Sequence, residues 1–78
     1  MKISQHAAER FLQRVIKLKE FTQKDLYNAY DFLEKDTKDV VVNGYKKYFT
    51  LPSFSGFKAI VIENTIVTIL PKKFLTHR

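Results

Sequence analysis

A chain of 78 residues allows a single domain with a modest core, because a chain of this size buries only about 60 % of its unfolded surface. It has no cysteine, which excludes disulfide staples, thiolate metal sites and a thiol nucleophile, and no apolar run nears the roughly 18 residues that span a bilayer. Fourteen Lys and Arg against eight Asp and Glu give a formal charge of +6 and a pI near 9.7, a bias towards polyanionic partners.

The opening stretch MKISQHAAER lacks the apolar segment of a secretory signal, so the expected location is the cytoplasm. The first element is a helix over about residues 4–18. Ser4 is a good N-cap, and helical spacing puts Ala7, Ala8, Phe11, Leu12, Val15 and Ile16 on one side. His6, Arg10, Gln13, Arg14 and Lys17 fall on the other.

The second helix is expected over about residues 22–35. Thr22 can cap it, Asp25 puts a negative charge in its first turn, and Phe21 can staple to Leu26. Leu26, Tyr27, Ala29, Tyr30 and Leu33 continue the apolar spacing. The period then changes to that of strands, expected at about 39–43, 45–51, 57–63 and 65–70. Asn43-Gly44 is a hairpin signal because both residues tolerate the positive φ of a type I′ turn. PSFSG, residues 52–56, has the composition of a loop, and the last two strands reverse near Glu63–Thr65. Pro71 ends the last strand or interrupts its ladder, and residues 71–78 form a tail. The expected fold is α+β, with two N-terminal helices packed on a four-stranded antiparallel sheet.

His6, Arg10 and Arg14 stand four residues apart, which on a helix makes a slanted row. Arginine offers phosphate a permanently charged planar fork, and histidine moves a proton near neutral pH. Cleaving RNA without a metal needs a base for the 2′-hydroxyl and cations where charge develops on the phosphate. The same row also fits the solvated side of any amphipathic helix. Tyr45, Lys46, Lys47 and Tyr48 interleave aromatics with lysines, which suits either a nucleic-acid surface or an edge strand guarded against aggregation. Lys17, Lys72 and Lys73 are further candidate phosphate contacts. Carboxylates gather in the middle, at Asp25, Asp31, Glu34, Asp36 and Asp39. No metal-ligand spacing, glycine-rich phosphate loop or nucleophile elbow is present, so no metal or cofactor is expected.

HAAERFLQR resembles the H-a-x-x-R-x-x-x-R opening of a family of small bacterial and phage proteins of unknown function. FTQKDLYNAYDFL is similar to that family's second helix, and KAIVIENTIVTIL resembles its closing strand pair with a threonine-bearing end. Those proteins are grouped by resemblance with the barnase–EndoU–colicin–RelE superfamily of metal-independent ribonucleases, many of them toxins. The resemblance runs from about His6 to Leu70 and carries over to His6, Arg10, Arg14 and Thr68 as site residues. It implies an RelE-like fold and RNA, rather than DNA, as partner. An acidic antitoxin or a host protein would be the protein partner. The alternative is a non-catalytic phage or mobile-element protein that binds nucleic acid or a host protein through its basic surface or through exposed aromatics such as Phe54 and Phe57. An exposed edge strand could also pair two copies as a homodimer.

Overall fold

Helix α1 (Gln5–Arg10) begins one residue after Ser4, whose extended backbone (φ −76°, ψ 159°) and side-chain oxygen, accepting from the Ala7 amide at 3.0 Å, make it the N-cap. The chain then runs on as a π-helical stretch, Phe11–Ile16, closed by Lys17 in the left-handed region at φ 67°. Helix α2 (Gln23–Asp36) opens with a full capping box. The Asp25 amide donates to the Thr22 hydroxyl oxygen at 3.2 Å, and the Thr22 amide donates to the Asp25 carboxylate at 2.9 Å. The computed structural model describes residues 1–42 and 47–72.

Both expected helices are present, and the class is α+β, but the sheet is mixed rather than antiparallel. Strands β2 (Tyr48–Leu51), β3 (Phe54–Ile62) and β4 (Thr65–Pro71) are antiparallel neighbours, while a two-residue strand β1 (Lys2–Ile3) runs parallel to β4 at the sheet's edge. The fourth strand is thus Lys2–Ile3, ahead of the helices, and not the segment expected at 39–43. Thr37 explains part of this. It is buried and donates both its amide (3.0 Å) and its hydroxyl (2.7 Å) to the Leu33 carbonyl, which carries the helical path past Asp36. The Val40 amide then donates to the Thr37 carbonyl in another turn, and Val41 ends up 90 % exposed. The hairpin expected at Asn43-Gly44 lies outside the described residues.

The expected loop over 52–56 contracts to a two-residue turn, Pro52–Ser53. Asp36 at the end of α2 holds that turn, since its carboxylate accepts from the Ser53 amide (3.2 Å) and hydroxyl (2.5 Å). Phe54 then starts β3 and packs its ring against those of Phe11 and Phe32, with centroids 5.7 Å away in each case. The next reversal is a two-residue hairpin at Glu63–Asn64, both at positive φ (50° and 62°), as a type I′ turn requires.

The core joins Ala7, Ala8, Phe11 and Leu12 of the first helix with Leu26, Ala29 and Leu33 of α2 and with Leu51, Ala59, Val61, Ile66 and Ile69 of the sheet. Two apolar side chains depart from their expected faces. Tyr27 is 73 % exposed and Ile16, at the end of the π stretch, is 44 % exposed. Across β3 and β4, Ala59 pairs with Ile69 and Val61 with Ile66, all four buried under the helices. The pairing steps over Val67 as a bulge. Ile60 and Thr68, paired with each other, occupy the opposite face.

Candidate nucleic-acid interface

His6 sits in the first turn of α1, exposed, and Arg10 follows one turn later on the same side. Arg10 is half-buried and donates from Nη1 to Gln13 Oε1 at 2.8 Å. Up to this point the row follows the sequence pattern. Past Arg10 the helix changes. In a π stretch each amide reaches five residues back, as the Lys17 amide does to the Leu12 carbonyl, so a turn takes in an extra residue. The side chain four positions on therefore falls short of the line.

Arg14 leaves the row in this way. It is half-buried, and its Nη1 donates to the Ile69 carbonyl at 2.7 Å, 55 residues away in the chain. That carbonyl lies on β4 beyond the stretch that β1 covers, so the guanidinium satisfies an acceptor at a sheet edge. Ser4 does the same for its neighbours. Its amide donates to the Ile66 carbonyl at 2.9 Å and its hydroxyl to the Val67 carbonyl at 3.3 Å.

Thr68 is half-buried and faces away from the helices, opposite Ile60. Thr68 thus belongs to β4 and faces away from the helices, while Arg14 reaches the same strand from the first helix. Lys17 is exposed at the end of the π stretch. Lys47 is exposed just before β2, with its carbonyl accepting from the Val61 amide at 2.7 Å, and Lys72 is exposed just after β4. Lys46 and Lys73 lie outside the described residues. Among the described residues no group of three His, Cys, Asp or Glu side chains could hold a metal ion. No helix among them is long and apolar enough to cross a membrane.

Two features are not readable from the sequence. Gln13 is the partner that holds Arg10, one turn along the same surface. Lys58 Nζ stands 4.4 Å from the ring centre of Tyr48, a cation–π pair formed diagonally across β2 and β3. Its signal exists only once the strand register is known.

Among the described residues the one ion pair joins Lys35 to Asp31 at 3.1 Å, one turn apart on α2. That helix holds four carboxylates against two lysines, while the basic side chains of the first helix have no carboxylate partner among the described residues. Compared with protein-family models, curated proteins and solved structures, the chain finds no match.

Proposed function

We propose that this chain is a small basic protein directed at RNA, acting in the cytoplasm through the first helix, where His6 and Arg10 share one side and Lys17 is exposed at the end. The observation that carries the reading is that Arg10 and Lys17 have no carboxylate partner among the described residues, set against a net charge of +6. Such a surface attracts a phosphate backbone; the Lys17 ammonium is exposed, and Arg10 gives up only its contact to the exposed Gln13 side chain to meet it. The helix–helix–sheet order also supports an RelE-like arrangement of the barnase–EndoU–colicin–RelE kind, with β1 added at the edge of the sheet.

In the catalytic form of this reading, His6 takes the proton of a 2′-hydroxyl and Arg10 steadies the phosphate. A specific contact favours the non-catalytic form, in which the chain is a mobile-element protein that binds RNA without cutting it. Arg14 is engaged by the Ile69 carbonyl and Arg10 by Gln13, so neither guanidinium group of the row is bonded toward His6. A single experiment separates the two forms. End-labelled single-stranded RNA is incubated with the full chain in EDTA, and both binding and cleavage are followed. Retarded, intact RNA fits the binder. Cutting that His6→Ala slows at least about a hundredfold, the usual size of an acid–base contribution, fits the ribonuclease. RNA neither bound nor cut overturns the proposal.

A further inference from the structure

Among the described residues, no helix covers the face of the sheet turned away from the core. Register places Tyr48 and Thr50 of β2, Lys58 and Ile60 of β3, and Thr68 and Leu70 of β4 on it in two rows. Ile62 pairs with Thr65 at its end, and Ile62 is 56 % exposed. Ile60, Ile62 and Leu70 belong neither to the core cluster nor to the side chains packed against it. Lys2, paired with Thr65, and Lys58 add positive charge, and Lys47 and Lys72 stand at strand ends. Within residues 47–72 the only carboxylate is Glu63, in the β3–β4 turn.

We infer that this face docks an acidic, amphipathic protein segment, whose apolar stripe covers the aliphatic strip and whose carboxylates meet the lysines around it. The inference stands independently of the RNA reading, which concerns the first helix. Charge complementarity selects the sign of the partner, and the aliphatic strip selects its class. Bases bind best by stacking on aromatic rings, and among the described residues this face presents Tyr48 alone, with the Lys58 ammonium already over its ring. A second copy fits worse. Strands of four, nine and seven residues, spaced about 4.8 Å apart, offer roughly 300 Å² per side, so a face-to-face pair buries about 600 Å² in total, below the ~1,200 Å² of a stable interface. It would also bring lysine against lysine.

The test uses the full chain with labelled Ile, Val and Leu methyl groups, followed by NMR. The probe is a synthetic peptide with leucines at helical spacing and glutamates elsewhere. Shift changes should gather at Ile60, Ile62 and Leu70. A scrambled peptide of the same composition and a lysine-for-glutamate version should bind about tenfold or more weakly. Ile62→Ser should weaken binding about tenfold, because that side chain loses its burial. Lys58→Glu should reverse the preference towards the lysine peptide, and thermal melting of each variant confirms that it is folded. Shift changes confined to α1 or α2, or equal binding of the scrambled peptide, would overturn the inference. So would methyl shifts that depend on protein concentration alone, or shifts at these methyls caused by oligouridylate and not by the acidic peptide.

Discussion

Arg14 shows how one hydrogen bond changes what a basic side chain is for. On an unbroken α-helix it would extend the His6–Arg10 row, yet its guanidinium spans from the first helix to β4 and closes an edge carbonyl at 2.7 Å. Arg14→Ala should therefore act mainly on stability. Losing a charged donor to a half-buried carbonyl costs about 1–2 kcal/mol, which for a domain of this size lowers Tm by roughly 4–8 °C per kcal/mol. Arg10→Ala, which removes a contact to the exposed Gln13, should cost about 0.5 kcal/mol or less while weakening RNA binding more than Arg14→Ala does. Urea titrations and fluorescence anisotropy of labelled RNA measure the two effects separately. If Arg10→Ala were the more destabilising, or Arg14→Ala the more damaging to RNA binding, the division of labour between the two arginines would be wrong.

The elements differ in how plainly the sequence announces them. Helix α2 was legible from end to end, because Thr22 and Asp25 write a capping box and Leu26, Ala29 and Leu33 share a face. The closing hairpin was legible too, since β3 and β4 are apolar runs that reverse within two residues. Strand β1 was not. Two residues are too few to show an alternation, and only the hydrogen bonds of Lys2 and Ser4 to Asn64 and Ile66 reveal it. The π stretch was equally hidden, because FLQRVI keeps an acceptable α pattern. For the same reason the candidate row was legible as a set of residues but not as a constellation. The Glu63–Asn64 turn gives a test at this scale. Both positions hold positive φ, and glutamate is poorly suited to it, so replacing the pair by Asn-Gly should raise stability by about 0.5–1 kcal/mol. A thermal melt that shifts downward would mean that the Glu63 side chain has a role outweighing its backbone cost.

At the scale of the molecule the dominant quantity is charge. With +6 overall and carboxylates concentrated on α2, RNA binding should lose strength steeply as salt rises, because every phosphate contact releases counterions. A footprint of about four phosphates on a single strand gives a slope near −3 in log affinity against log salt. A flat titration would mean that positive charge plays no part in recognition. Ser4 bears on a different property, cooperativity. One hydroxyl accepts from the Ala7 amide and donates to the Val67 carbonyl, while the amide of the same residue reaches Ile66. The beginning of the first helix and the margin of the sheet are therefore fastened by a single side chain and its own backbone. Neither can fray without loosening the other, so this corner should open to solvent in one concerted event, with its amides exchanging hydrogen at a common rate.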